Sequence, residues 1–219
     1  MKAAIFDLDG TLLDSMGLWQ QIDVEFLARR GIDLPSDYQA AITPLGAHDA
    51  AVYTIRRFGL PDTPEELTEE WIDMAFSHYR DDIPLKPYAL EYVRALWERG
   101  IRIYIATSSD RKMVEAACKR TGLSACLSEI VTVADTGRGK EFPDIYLRCA
   151  KKAGCPPPEC VVYEDIIHGV RSAKLGGFYT VGVYEPTYER LDEVMAESDR
   201  FIRSFEELLR EPDVWPCGL

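Results

Sequence analysis

The spacing of apolar positions along this 219-residue chain changes twice. A short apolar run at 3–6 stops at Asp7, which is typical of a buried strand that ends at polar groups. From Ser15 to about Arg80, apolar residues recur at helical spacing, so we expect only helices there. Two prolines within 83–88 then predict an extended connection. The chain therefore begins with one strand, continues through a helical block and enters a longer third region.

Helices and strands alternate through this third region. The predicted helices cover 88–99, 111–121, 143–153 and 167–175, and the predicted strands cover 101–106, 130–133, 160–163 and 179–183. A last helix and a short strand at 201–202 complete the pattern. Such alternation predicts a parallel sheet with helices on both faces and right-handed crossovers. The expected fold is α/β, a doubly wound parallel-sheet core (1–14 and 84–219) into which a helical domain (15–83) is inserted.

Composition and charge exclude several classes of protein. Hydrophobic residues make up 47% of the chain and charged residues 28%, which indicates a globular fold rather than disorder or a coiled coil. Lys and Arg total 25 against 37 Asp and Glu, a formal charge of -12. The negative electrostatic field of such a protein repels nucleic acid and anionic membranes. The apolar start is too short for a signal peptide, and no apolar run approaches the length of a membrane span. We expect a cytoplasmic protein that binds neither nucleic acid nor membrane.

The cysteines and tryptophans are expected to be structural. The six cysteines form no CxxC pair, which favours reduced, buried thiols over a zinc site. They are Cys118, Cys126, Cys149, Cys155, Cys160 and Cys217. Trp19, Trp71 and Trp97 lie on helical stretches, so we expect them to pack in the core.

Polar residues follow three of the predicted strands at the point where each strand ends, and ligands of doubly wound sheets bind at that edge. The segments are Asp7-Leu8-Asp9-Gly10-Thr11, Thr107-Ser108-Ser109-Asp110 and Glu164-Asp165. Two like charges about 4 Å apart repel by roughly 4 kcal/mol at an effective dielectric constant near 20, so four clustered carboxylates require protons or a cation. Oxygen-only ligands favour Mg²⁺. The alternative is that an acidic residue only caps a helix, an explanation that suits Asp110 best.

Four segments resemble, in order, the signatures of the haloacid dehalogenase-like phosphohydrolases. DLDGTLLDS at 7–15 resembles the first signature, DxDGT. Thr107 or Ser108 resembles the second, Lys140 in GKEFPDIY the third, and the Glu-Asp pair in YEDIIHGVRSAKLGG the fourth. The helical block 15–83 is similar to the small cap of the β-phosphoglucomutase and sugar-phosphate phosphatase branch. The resemblance thus spans essentially the whole chain and implies a Rossmann-like core with an α-helical cap domain.

The resemblance implies a role for each carboxylate. Asp7 would be the nucleophile that forms an aspartyl-phosphate, and Asp9 would act as general acid and then as general base. Relatives that break carbon–halogen bonds lack this second aspartate, so its presence favours phosphoryl transfer. Mg²⁺ would be bound by Asp7 and Asp165 and by the backbone carbonyl of Asp9. Glu164 would join directly or through water.

The phosphoryl group would meet a second set of residues. Lys140 would balance its charge, and Thr107 or Ser108 would donate a hydrogen bond to one of its oxygens. The order of residues in the signature favours Thr107 for the hydroxyl, with Ser108 as a further phosphate ligand. Gly10 fits a turn that requires a positive φ or a close approach of the phosphate.

The cap would recognise the substrate. The turn at 43–49, which contains Gly46 and His48, is the expected point of contact, between hinges near 14–16 and 83–87. The resemblance implies a Mg²⁺-dependent phosphatase of a small phosphorylated metabolite, a sugar phosphate, acting as a monomer or weak dimer.

Two alternatives remain open at this point. A phosphomutase related to β-phosphoglucomutase is disfavoured because Trp19 stands where the mutase pattern has a histidine. A non-catalytic protein that binds a phosphorylated ligand is disfavoured because Asp9 and Lys140 are both present.

Overall fold

Six strands form one parallel sheet in the computed structural model, which describes residues 1–43 and 45–211. They are β1 (Ala3–Phe6), β2 (Arg102–Thr107), β3 (Leu127–Thr132), β4 (Cys160–Glu164), β5 (Tyr179–Val183) and β6 (Arg200–Ile202). Their order in the sheet is β3-β2-β1-β4-β5-β6, and every neighbouring pair is parallel. The strand order reverses at β1, which confirms the predicted doubly wound α/β fold.

Helices connect and flank the strands. They are α1 (Leu18–Ala28), α2 (Tyr38–Ile42), α3 (Ala47–Phe58), α4 (Pro64–Asp81), α5 (Ala89–Glu98), α6 (Arg111–Thr121), α7 (Val133–Thr136), α8 (Asp144–Ala153), α9 (Ile167–Leu175), α10 (Leu191–Glu197) and α11 (Phe205–Arg210). Helices α6 and α9 begin and end where the sequence predicted. The prediction that a strand completes the chain was wrong, because α11 follows β6. The α11 helix has six residues, too few to show a helical period, although its capping box of Ser204 and Glu207 was visible in the sequence.

The chain divides into two compact units. One consists of Met1–Met16 together with the chain from Ile83 onward, and the other is Gly17–Asp82. The first unit contains the sheet, and the regular elements of the second are α1 to α4. In the helical unit, Phe26 packs edge-on against Trp71, with ring centroids 5.6 Å apart. This contact is part of a core that the second unit forms from its own helices.

The central strand β1 is buried on both faces, which explains why its four residues are all apolar. Ala3 and Ile5 belong to a core cluster that includes side chains of α8. Phe6 points to the opposite face, where it stacks on Tyr163 of β4 with ring centroids 4.2 Å apart. Each large side chain buried in this way contributes about 1.5–3 kcal/mol. The two apolar layers therefore hold β1 in place and so fix the position of Asp7, which follows directly after the strand.

The tryptophan prediction was right for one residue and wrong for two. Trp71 is buried, but Trp19 and Trp97 are 58% and 52% exposed. On α5 the neighbouring Val93 and Leu96 face the core, and one further residue along a helix turns the side chain by about 100°. Helical spacing of the other apolar residues, rather than the size of Trp97, decides which face is buried.

The structure describes five of the six cysteines. Five free cysteines are buried, as predicted: Cys118, Cys126, Cys149, Cys155 and Cys160. Cys217, and Pro44 of the turn at 43–49, lie outside the described residues. Within 1–43 and 45–211, no helix has both the length and the apolar character needed to cross a bilayer.

Candidate active site

The carboxyl ends of β1 and β4 bring three carboxylates together. These strands are neighbours in the sheet, and their pairing continues past β1 because the backbone N–H of Asp7 donates to the Tyr163 carbonyl (3.0 Å). Asp7, Glu164 and Asp165 are all buried, and one carboxylate oxygen from each lies within 4.8 Å of the others. The structure therefore unites three of the four acidic residues predicted for a metal site.

Lys140 is the cation of this cluster. It precedes α8, is buried, and donates from Nζ to Asp7 Oδ1 and to Glu164 Oε1 (2.6 Å). Burial alone would lower the pKa of Lys140, but the charges of Asp7 and Glu164 outweigh burial and raise it. The ammonium group therefore stays protonated and lies against the predicted nucleophile.

Lys140 does not neutralise the whole cluster. Glu164 Oε2 and Asp165 Oδ2 are buried without a hydrogen-bond partner in the described part of the chain. Burial raises the pKa of Asp7, and the other carboxylates raise it further, although Lys140 opposes them. Burial and the charge of Glu164 raise the pKa of Asp165 to about 7. Three buried carboxylates, two of them with an unpaired oxygen, and no sulfur or imidazole ligand in the cluster fit a hard divalent cation.

The carboxylate of Asp9 has its own partners and is not among these three. Its Oδ1 accepts from Ser15 Oγ (2.8 Å), and its Oδ2 accepts from Ser109 Oγ (2.6 Å). Both serines were missed as site residues, although they lie inside the quoted segments, at the last position of DLDGTLLDS and next to Ser108. The role predicted for the Asp9 backbone carbonyl, as a metal ligand, stays a prediction.

The hydroxyl groups after β2 differ in burial. Thr107 is buried, and its Oγ1 accepts from the Ser109 backbone N–H (3.0 Å), so its own hydrogen points elsewhere. Ser108 is exposed. Asp110 accepts from the Lys112 backbone N–H (2.8 Å) and so caps α6, as the alternative explanation proposed. The structure therefore leaves Thr107 as the buried hydroxyl at this strand end.

Gly10 lies in a turn that leaves no room for a side chain. Its φ is +79°, and a Cβ at this position would collide with the Asp165 carboxylate. The neighbouring Thr11 donates from Oγ1 to Asp165 Oδ1 (2.9 Å). The predicted positive φ of Gly10 is confirmed, and a protein carboxylate makes the close approach in this structure. Gly169 of α9 has the same relation to Glu164.

Tyr146 is a further site residue that sequence reasoning missed. It lies in α8, is fully buried, and its hydroxyl donates to Glu164 Oε1 (2.6 Å). The residue is part of GKEFPDIY, but a tyrosine on the apolar face of a helix reads as core. Only the tertiary structure brings its hydroxyl to a carboxylate.

Gly46 and His48, the predicted substrate contacts, belong to the helical unit. Gly46 adopts an extended conformation immediately before α3. His48 lies in the first turn of α3, is exposed, and has its Nδ1 3.7 Å from Glu65 Oε1. The carboxylate cluster lies in the other unit, so the contact of these two residues with substrate stays a prediction.

Comparison with known proteins agrees with this geometry. The family model of the haloacid dehalogenase-like hydrolases matches residues 1–177. The bifunctional riboflavin kinase/FMN phosphatase of Arabidopsis thaliana is 28% identical over 96% of this chain, which spans only 55% of that protein. Hexitol phosphatase B of Escherichia coli is 29% identical, with 84% of each chain covered.

A solved structure shows the same fold. A Thermotoga maritima protein assigned to the β-phosphoglucomutases superposes with a TM-score of 0.87 over 98% of this chain and 100% of that one, at 21% identity. The chain belongs to the haloacid dehalogenase-like hydrolases. This membership confirms the predicted family and the hydrolase class, and the phosphatases among the relatives support a phosphohydrolase.

Proposed function

We propose that the chain is a Mg²⁺-dependent phosphatase that hydrolyses a small phosphorylated metabolite through an aspartyl-phosphate intermediate. The observation that carries the proposal is the pairing of two kinds of carboxylate at one sheet edge. Asp7 lies buried against Lys140, whereas Asp9, two residues away, is held by hydroxyl groups. Attack on phosphorus and transfer of a proton require such a division of labour.

In the first half of the reaction, an Asp7 carboxylate oxygen attacks phosphorus, and the bond between phosphorus and the leaving oxygen breaks. Asp9 donates its proton to that oxygen, so a neutral alcohol departs. Lys140 balances negative charge on the phosphoryl oxygens, and Thr107 donates to one of them. In the second half, Asp9 takes a proton from the water that attacks the aspartyl-phosphate, which releases inorganic phosphate and restores Asp7.

Asp7, Glu164 and Asp165 would hold Mg²⁺, with the backbone carbonyl of Asp9 as a further ligand. When bound, the ion would neutralise part of the negative charge that Lys140 leaves uncompensated and polarise the phosphoryl group. The unpaired oxygens of Glu164 and Asp165 support this assignment.

The substrate class rests on the relatives and on the helical unit. The name of hexitol phosphatase B supports a phosphorylated sugar or polyol as substrate. We propose that the unit Gly17–Asp82 is the cap, that Gly46 and His48 contact the leaving alcohol, and that Ser108 assists in phosphate binding. The monomer or weak dimer and the cytoplasmic location remain predictions of the sequence.

The test is phosphate release by the full chain from p-nitrophenyl phosphate and a panel of sugar and polyol phosphates. We expect release that requires Mg²⁺ and stops with EDTA. Asp7→Asn should lose at least roughly 10⁴-fold in kcat, because an amide cannot attack phosphorus. Asp110→Asn is the matched control, because asparagine caps a helix as well as aspartate does.

Three outcomes would change the assignment. Hydrolysis that survives Asp7→Asn would exclude this nucleophile. Conversion of glucose 1-phosphate to glucose 6-phosphate would make the protein a mutase. Binding of a phosphate ester without hydrolysis, measured by calorimetry, would make it a non-catalytic binding protein.

A further inference from the structure

We propose that Tyr146 is a positioning residue for the metal site: its hydroxyl holds Glu164 so that one chosen oxygen of that carboxylate is presented to the cation. The inference rests on the proposed function, because it concerns the cation that Asp7, Glu164 and Asp165 would bind. It assigns a role to a tyrosine buried in α8 that lies outside the set of charged and catalytic residues.

Two donors converge on the same oxygen of Glu164. Tyr146 donates its hydroxyl hydrogen to Oε1 (2.6 Å), and Lys140 Nζ donates to that oxygen at the same distance. The other oxygen, Oε2, is buried and has no partner within the described residues. Charge-assisted hydrogen bonds of this length are strong and directional. The carboxylate is therefore oriented, with one oxygen satisfied twice and the other left for a ligand.

Asp165 shows the same arrangement with a different hydroxyl. Thr11 donates to its Oδ1 (2.9 Å), and its Oδ2 is buried and unpaired. Glycine backbone packs against both carboxylates, because a Cβ at Gly10 or at Gly169 would strike the carboxylate that it faces. Each carboxylate is thus held by a hydroxyl and confined by backbone. The same arrangement occurs at two separate carboxylates, which indicates that the two unpaired oxygens are a feature of the site rather than a coincidence of packing.

A purely structural role explains less. Tyr146 lies in an otherwise apolar cluster with Ile145, Cys149 and Phe178, where phenylalanine would fill nearly the same volume. Leaving a buried carboxylate oxygen unpaired disfavours the folded state, and more so when the group is charged. A hydroxyl placed only for stability would be expected to satisfy the unpaired Oε2. Tyr146 instead reinforces Oε1, which Lys140 already binds.

The experiment compares Tyr146→Phe with wild type in the full chain, with Mg²⁺ alone as the probe. Isothermal titration of the metal-free protein should show the Mg²⁺ dissociation constant rising about tenfold, the lower end of the effect of removing an outer-shell partner. The Mg²⁺ concentration for half-maximal hydrolysis should rise by the same factor. Tyr92→Phe is the matched control: it removes a buried tyrosine hydroxyl that lies 2.6 Å from another hydroxyl, that of Tyr163, and should leave Mg²⁺ binding unchanged.

Equal Mg²⁺ affinity in Tyr146→Phe and wild type would overturn the inference, as would an equal loss in Tyr92→Phe. If Tyr146→Phe does not fold, Tyr146→Met, a flexible apolar side chain that fills irregular core space without a hydroxyl, is measured by the same criteria. Wild-type protein that hydrolyses phosphate esters without binding Mg²⁺, or that binds Mg²⁺ without hydrolysis, would contradict the proposed function instead. The two failures are therefore distinguishable.

Discussion

Carboxylates are treated in opposite ways in the two compact units. In the helical unit, Arg30 donates two hydrogen bonds to Glu70 (3.1 and 2.6 Å) and one to Asp62 (3.3 Å), while its guanidinium lies 3.9 Å from the centre of the Phe26 ring. At the sheet edge, two buried carboxylate oxygens have no partner in the described ranges. The network around Arg30 matches its acids with donors. The carboxylate cluster leaves two oxygens without donors, which supports the proposed cation site over a purely structural role.

Under the proposed function, the carboxylate cluster lowers the stability of the folded protein and the Arg30 network does not. Buried acids without enough donors disfavour the folded state when they are ionised, and near neutral pH a bound cation would remove that penalty. Partly exposed ion pairs carry no such desolvation penalty, but they contribute little to stability. Asp9 stands between the two cases, because both of its oxygens accept from serine hydroxyls while it lies beside the cluster.

Asp9→Asn should have the largest effect of the substitutions that distinguish the carboxylate cluster from the Arg30 network. We expect kcat on an alkyl phosphate to fall by about 10²–10⁴, because an amide can neither protonate the leaving oxygen nor activate water. With p-nitrophenyl phosphate, whose phenolate leaves without protonation, a burst of product should precede slow turnover. Rapid-quench kinetics measures both. An undiminished kcat would show that Asp9 has no acid–base role.

The stability of the metal-free protein should fall as pH rises from about 4 to 7. The folded chain keeps the Asp165 proton up to about pH 7, whereas the unfolded chain releases it near the ordinary aspartate pKa of 3.8, so the unfolded state is increasingly favoured across that interval. The raised pKa of Asp7 acts in the same direction. We expect a loss of a few kcal/mol in urea unfolding with EDTA, which Mg²⁺ should reverse.

Asp23 provides a reference for this experiment. Burial raises its pKa to about 6, so it contributes a fall of the same sign, but it lies in the helical unit and should contribute equally with EDTA and with Mg²⁺. The difference between the two conditions therefore isolates the cluster. Asp165→Asn should reduce that difference. Carboxylates with lowered pKa values, such as Glu193, act in the opposite direction but equally in both conditions. A difference between EDTA and Mg²⁺ that stays constant from pH 4 to 7 would therefore contradict the burial assigned to the cluster.

Arg30→Met should have the smallest effect. Removing partly exposed ion pairs while keeping an apolar stem over Phe26 should lower the free energy of unfolding by about 1–2 kcal/mol. Urea unfolding measures the change. Arg80→Met, which removes an exposed pair with Asp81, should cause no measurable change. The Mg²⁺ dissociation constant should stay at the wild-type value in both variants. A shift would refute the distinction between the structural Arg30 network and the carboxylate cluster.

Local sequence predicted the six strands and the charged members of the candidate site, but not the short helices α7 and α11. Strand β1, helix α6 and the residue type at each strand end follow from periodicity and from polar punctuation, which depend on near neighbours. The hydroxyl donors could not be assigned in this way. Tyr146 reaches Glu164 across 18 positions, and Ser109 reaches Asp9 across 100. Whether a hydroxyl on an apolar face meets a carboxylate depends on the tertiary packing of two elements.

The position of β1 in the sheet has a consequence for biosynthesis. Lys140 meets Asp7 across 133 positions, and Thr11 meets Asp165 across 154, so the site cannot assemble until β4 has left the ribosome. The stretch that forms the helical unit is synthesised long before that, and it lies between the two strands that must pair. Until β4 arrives, the nascent chain carries an apolar β1 without one of its two neighbours. Shielding of Ala3–Phe6 during synthesis should therefore protect the growing chain against aggregation.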